Sequence, residues 1–253
     1  GIDWHLPDIR AAGGEVVALA DVVTGRAARF AAQHGVPHAY DDYRKLLALD
    51  EVDVVAVCTP PYTHAELAIA AVQAGKHLYL EKPPAMNEAE MVQIAQAVRR
   101  SGQLAMTGSN RIYEGEVQAL KRRIDAGELG QIYMVECLKL LRRSIPKGWH
   151  REKQYAGGGV GFNSTAHRVD LVLYLLGTPK VLSVTARTYD HFIANRPPPA
   201  TRSYLLRDVE EGLWTDALAD VEDTLVALIQ FDMGCTCLLR DASAANMPDE
   251  WQV

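Results

Sequence analysis

What is scarce in this chain of 253 residues does the first sorting. No apolar run comes near the roughly 20 residues that a helix needs to cross the hydrocarbon of a bilayer, so no integral membrane segment is expected. Basic residues are in deficit: 26 Lys+Arg against 32 Asp+Glu give a formal net charge of −6. That balance argues against a nucleic-acid partner, whose phosphates need a clustered basic surface. Cysteine is sparse. Cys58, Cys137, Cys235 and Cys237 are scattered, three of them in apolar strand-like runs, which fits reduced core thiols better than a disulfide framework. Cys235-x-Cys237 resembles a metal half-site, but two residues on one strand face with no nearby His read as buried core, and no metal is expected.

What is present suits a folded protein. Hydrophobic residues make up 48% and charged residues 23%, so a sizeable core is available and global disorder is excluded. The length fits one large or two medium domains. The chain starts at Gly1 without an initiator Met and stops at Trp251-Gln252-Val253 just after a strand-like run, so a fragment at one or both ends is expected. Composition points to the cytoplasm, with a lost N-terminal targeting segment as the alternative.

From Glu15 to Ser109, the apolar runs EVVALADV, DVVAVCTP, KHLYLEKP and LAMTGS alternate with segments of helical period. Near-continuous apolar strands alternating with helices predict βαβ units around a parallel sheet covered on both faces. After Asn110 the rhythm changes. A helix is predicted over Glu116–Ala126 and a strand over Gln131–Leu141. The run Gly157-Gly158-Gly159 then leads into a helix from Ser164 that ends at Gly177-Thr178-Pro179, with Gly and Pro as stop signals. Strands are predicted over Lys180–Tyr189, Thr224–Phe231 and Thr236–Arg240, and Pro197-Pro198-Pro199 marks a loop between the first two of them. The fold class is therefore a doubly wound α/β domain over 1–110 followed by an α+β domain over 111–253, whose sheet is largely antiparallel.

A dinucleotide site needs a glycine turn against the pyrophosphate, a helix N-terminus aimed at it, and a carboxylate after the second strand for the ribose hydroxyls. Gly1 fits the third glycine of that fingerprint, and Asp21 closes the next strand about 20 residues later. An Asp after a strand is also a common turn or cap residue. A carboxylate at that point repels a 2′-phosphate, so NAD is favoured over NADP. Arg26 nearby softens the preference or is a solvated helix residue.

Cys58-Thr59-Pro60-Pro61-x-x-His64, Gly75-Lys76-His77-x-x-x-Glu81-Lys82-Pro83, Asn110-Arg111, and Gly157-Gly158-Gly159 ahead of His167-x-x-Asp170 occur in this order. Together they resemble the glucose-fructose oxidoreductase / inositol dehydrogenase (Gfo/Idh/MocA) family over essentially the whole chain. The resemblance implies a Rossmann domain plus a C-terminal domain on an open, predominantly antiparallel sheet. It also implies another strand with two glycines before Gly1 and more sheet after Val253. The implied activity is NAD-dependent oxidation of a secondary alcohol in a sugar, cyclitol or related polyol, and the implied assembly is a homo-oligomer through the second sheet. Alternatives within the same family are an NAD-dependent glycosidase and a non-catalytic NAD-responsive regulator.

Lys82 sits at the carboxyl end of a parallel strand, where open α/β sheets place ligands. An ammonium there can stabilise the alkoxide that forms as hydride leaves, or it reaches solvent. Pro83 fixes the local turn, and a cis Lys82–Pro83 bond is a form it can take. Glu81 orients backbone or the nicotinamide ribose, or partners a cation. His167, in the first helical turn, meets the positive helix end, which favours a neutral imidazole able to take the hydroxyl proton. Asn163 stands four residues earlier, where the family's dehydrogenases commonly carry an Asp. An amide orients an imidazole or a substrate hydroxyl but cannot compensate a positive charge. Thr59, Pro60 and His64 fit a loop passing a ribose of the cofactor. Arg111 and Asp170 are candidates for substrate contact and for holding the site's geometry.

Overall fold

The computed structural model describes residues 2–141, 148–193, 219–245 and 250–252. Contacts divide the chain into two units: Gly1–Thr59 with Thr63–Gly108, and Pro60–Tyr62 with Ser109–Val253.

In the first unit, helices and strands alternate: α1 (Ile2–Ala11), β1 (Ala18–Ala20), α2 (Arg26–His34), β2 (His38–Tyr40), α3 (Tyr43–Leu47), β3 (Val54–Val57), α4 (His64–Gln73), β4 (His77–Leu80), α5 (Glu88–Ser101) and β5 (Ala105–Thr107). All strand pairs are parallel, as crossover helices require. They form two hydrogen-bonded sheets, β1-β2 and β3-β4-β5, where the sequence pattern predicted one. The four predicted strands are present, shortened at their ends. β2 was not predicted, because three residues after Pro37 are too few to display a period.

Val57, Leu78 and Leu80 bury against Ala68, Ala71 and Val72 of α4 and Ile94 and Ala97 of α5. At roughly 25 cal/mol per Å² of apolar area removed from water, this burial dominates the unit's stability. α5 starts on a reciprocal cap: Asn87 Oδ1 accepts from the Glu90 N–H at 3.0 Å, and Glu90 Oε2 accepts from the Met86 N–H at 2.9 Å. Such an N-cap is worth about 1 kcal/mol.

The second unit holds α6 (Gly115–Asp125), β6 (Met134–Leu140), α7 (Lys153–Ala156), α8 (Val160–Asn163), α9 (Thr165–Leu176), β7 (Val181–Tyr189), β8 (Thr224–Phe231), β9 (Thr236–Ala242) and β10 (Glu250–Gln252). The strand order is β10-β6-β9-β8-β7. β7/β8, β8/β9 and β10/β6 are antiparallel and β6/β9 is parallel, so the sheet is mixed and mostly antiparallel. Val172 of α9 packs with Cys137, Ala227, Ile229, Phe231, Cys237 and Leu239, which places three cysteines, Cys235 included, in the core as free thiols. Burial pushes the Cys237 thiol up to about 12 and the Cys137 thiol up to about 11. On the opposite face, Met134 is 61% and Leu228 42% exposed. The proline run 197–199 lies outside the described residues. Among the described residues, no helix is long and apolar enough to cross a membrane.

Candidate functional site

The carboxyl ends of the parallel strands carry the first half of the candidate residues. Asp21 directly follows β1. Its Oδ1 accepts from the Val23 N–H at 2.9 Å, closing a tight turn, and its Oδ2 accepts from Arg26 Nε at 2.7 Å. The carboxylate is still a quarter exposed and, with about four lone-pair directions, keeps acceptor capacity beyond these two bonds. It therefore fits a ribose diol. Arg26, read from the sequence as either a modifier or a solvated residue, is held directly on that carboxylate. Gly1 lies outside the described residues.

The loop after β3 and the loop after β4 are fastened together from inside. His64, the first residue of α4, is 1% exposed. Its Nε2 lies 2.8 Å from the Thr59 carbonyl and its Nδ1 2.8 Å from the Pro83 carbonyl. With both nitrogens engaged on backbone, the ring holds the two loops and presents no nitrogen to a cofactor. Burial lowers its pKa, against the pull of the two carbonyls. Thr59 is exposed and shares a 2.6 Å hydroxyl contact with Thr63. Pro60, partly buried, leads into the short turn Pro61–Thr63.

Glu81 and Lys82 directly follow β4, and the Lys82–Pro83 peptide is cis. Glu81 Oε2 accepts from the Lys82 N–H at 3.0 Å, and Oε1 lies 2.9 Å from Nε2 of His5 on α1. Burial pushes the Glu81 carboxyl up, but hydrogen bonds from His5 and the Lys82 backbone outweigh it and hold the group below its ordinary value. Burial lowers the Lys82 pKa, and the Glu81 charge opposes that shift. A desolvated ammonium is a stronger hydrogen-bond donor than a hydrated one.

The second unit carries the rest. His167 is the third residue of α9 and is partly buried. Asn163 ends α8, and Ser164 continues in helical geometry into α9, so Asn163 and His167 lie one turn apart on one face. The Asn163 amide contacts His150 Nδ1 at 3.2 Å, and the His150 ring stacks on Trp149 with centroids 3.5 Å apart. Beneath the helix start, Arg168 donates to the Ser164 carbonyl at 2.7 Å and faces fully buried Asp241 at 3.7 Å. Thr165 also donates to Asp241, and Lys139 reaches the Ser164 hydroxyl.

The glycine run has a steric cause. A Cβ on Gly159 would lie 1.8 Å from the Glu222 carbonyl oxygen, while the Val160 and Gly161 N–H groups donate to Glu222 at 3.0 and 2.9 Å. The backbone must touch backbone here to deliver α8 and α9. Two expected substrate contacts are engaged within the chain: Arg111 pairs with Glu114, three residues on, and Asp170 accepts from Ser109. His5, Glu222 and Asp241 were not singled out from the sequence, since each acts through a partner far along the chain. The His in the first helix, opposite the predicted Glu81 strand end, was the one available signal.

Two family profiles match the chain: an oxidoreductase family with an NAD-binding Rossmann fold over residues 3–109, and a GFO/IDH/MocA C-terminal domain over residues 117–253. The D-glucoside 3-dehydrogenase of Escherichia coli (strain K12) is 29% identical over 238 residues, which cover 93% of this chain and 65% of that protein. The levoglucosan dehydrogenase of Pseudarthrobacter phenanthrenivorans is 29% identical over 82% of this chain and 54% of its own length. The chain thus spans less than two thirds of these curated relatives. Among solved structures, an oxidoreductase domain protein from Kribbella flavida superposes with a TM-score of 0.83 at 26% identity, covering 98% of this chain and 68% of that one. A levoglucosan dehydrogenase in complex with NADH gives 0.79 at 25% identity, covering 94% and 60%.

Proposed function

Because the chain belongs to the Gfo/Idh/MocA oxidoreductase family, we propose that the protein is an NAD-dependent dehydrogenase acting on a secondary alcohol of a sugar, cyclitol or related polyol. The observation that carries the reading is the end of β4: a desolvated Lys82 at a strand's carboxyl end, its backbone tied to the Glu81 carboxylate. When bound, NAD would supply the hydride acceptor for this oxidation. The chain supplies the rest. Lys82 donates a hydrogen bond to the alcohol oxygen and stabilises its developing negative charge. An imidazole nitrogen of His167 takes the hydroxyl proton as the carbonyl forms, and returns it in the reverse direction. Asp21 receives the adenosine-ribose hydroxyls, and Thr59 and Pro60 border the cofactor. Asn163 meets substrate or His167 through its amide and is already tied to His150. Relatives named as a glucoside dehydrogenase and a levoglucosan dehydrogenase support a carbohydrate substrate. We further propose a homo-oligomer formed through the exposed face of the mixed sheet, and a cytoplasmic location.

The test is NADH formation, followed by its absorbance, from NAD and a pooled library of sugars, sugar acids and cyclitols. Turnover that disappears in both Lys82→Ala and His167→Ala while NAD binding persists is the expected result. Retained turnover in both variants overturns the assignment. Silence from wild-type protein saturated with NAD favours the glycosidase or regulator instead.

A further inference from the structure

Two loops that leave different strands meet on one buried ring. His64 Nε2 lies 2.8 Å from the carbonyl oxygen of Thr59, after β3, and Nδ1 lies 2.8 Å from that of Pro83, after β4. Turning the ring over would set carbons at those positions, well inside the roughly 3.3–3.6 Å of a C–H···O contact, so both contacts belong to nitrogen. A carbonyl oxygen only accepts, and a neutral imidazole carries a single N–H. The neutral ring can therefore bond one loop, and it turns a lone pair toward the carbonyl of the other. The imidazolium donates to both.

We propose that His64 is a positioning residue for the cofactor loop, and that its two-sided clamp is complete only when the ring carries a proton, so that nucleotide binding draws a proton onto it. The proposal rests on the reading of Thr59 and Pro60 as the border of the cofactor. The ring holds the carbonyl of Thr59 itself, and through Pro83 it fixes the backbone one residue after Lys82.

The surroundings leave the proton finely held. Burial is the largest influence and lowers the His64 pKa from its ordinary 6.5, while the two carbonyls and the Glu81 carboxylate pull the other way. His64 also opens α4, whose positive end disfavours a cation. On the same helix, Glu66 is engaged by Tyr43 and Arg44 from α3. Glu81, after β4, is engaged by His5 from α1 and by the Lys82 N–H. Cys58 and Lys82 precede the two acceptor residues in the chain, and α5 contributes apolar Ile94 and Ala97 to the shared core. A nucleotide that fixes the two loops keeps both carbonyls at hydrogen-bond distance, which favours the charged ring. By reciprocity, the protonated protein binds the nucleotide more tightly.

The test reads the ring directly. Two-bond proton–nitrogen NMR spectra of protein labelled with 15N-histidine separate an imidazolium from either neutral tautomer, and the signal missing in His64→Gln, or the one near Pro83 by proton–proton contacts if that variant does not fold, is His64. Calorimetric titration with NAD from about pH 5.5 to 8 gives the affinity. The His64 titration is expected at higher pH with NAD bound than without. NAD binding should tighten toward acid by about tenfold for each unit of that rise, and His64→Gln should lose this dependence. A ring with a merely structural role titrates alike with and without NAD, and that result overturns the proposal. So does a ring that stays neutral throughout with NAD bound, or the same pH dependence of affinity in His64→Gln. If NAD binds at no pH, the cofactor reading falls while the free protein still decides the clamp: an imidazolium with two slowly exchanging N–H protons at the acid end supports it, and a neutral ring there overturns it.

Discussion

Asp21 and Arg26 form one device. The guanidinium Nε is 2.7 Å from the carboxylate, so removing the acid both deletes a ribose acceptor and releases a cation where a 2′-phosphate would arrive. Asp21→Ala is expected to weaken NADH binding by about 1.5–3 kcal/mol, the worth of hydrogen bonds to a charged group, which is about tenfold or more. NADPH binding should hold or improve. Fluorescence titration with both nucleotides checks this, and an unchanged preference would show that Asp21 does not meet the ribose. His5 leaves a separate mark on stability. Its folded pKa of about 10 lies above the ordinary 6.5, so the folded state holds the proton more tightly. The stabilisation is full below about 6.5 and fades as pH rises through about 10. The difference in urea midpoint between wild type and His5→Gln should therefore be large at pH 6 and shrink toward pH 10.

At the scale of elements, the glycine run and the helices make contrasting demands. Gly159→Ala forces a Cβ into the Glu222 carbonyl and is expected to cost about 3 kcal/mol, the upper range for overpacking. Gly115→Ala meets open space at the start of α6 and should stabilise by about 0.4–1 kcal/mol. Urea unfolding of the two variants separates the cases. These contrasts also mark what the sequence could reveal. Helix 116–126 was legible to within a residue because apolar spacing and the glycine stop are local signals, and β4 with Glu81-Lys82 was legible because strand, charge and proline fall together. β2 was too short to show a period. The support under His167, from Arg168 to Asp241 and Thr165, was illegible because a buried ion pair across sequence-distant elements leaves no spacing to read. Arg111, partly buried, pairs with Glu114 three residues on, a local partner that helical spacing allows.

For the whole molecule, the exposed face of the mixed sheet makes its own prediction. Val226 and Leu228 point away from the α9 side, and Val226→Glu with Leu228→Glu is expected to reduce the mass in light scattering from an oligomer to a single chain. A wild-type protein already monomeric at micromolar concentration would sink that assembly. The same sheet has a consequence for how the chain is made. β3, β4 and β5 pair with neighbours separated by one helix each, so each can join its partner as soon as it leaves the ribosome. β6 cannot. Met134 pairs with Thr236, and Glu250 closes the other side. Both edges of β6 therefore stay open while everything up to β9 is translated, and closing so long a loop is entropically slow. A nascent chain halted before β9 would expose Met134–Leu140 as a bare strand, a natural binding target for a chaperone.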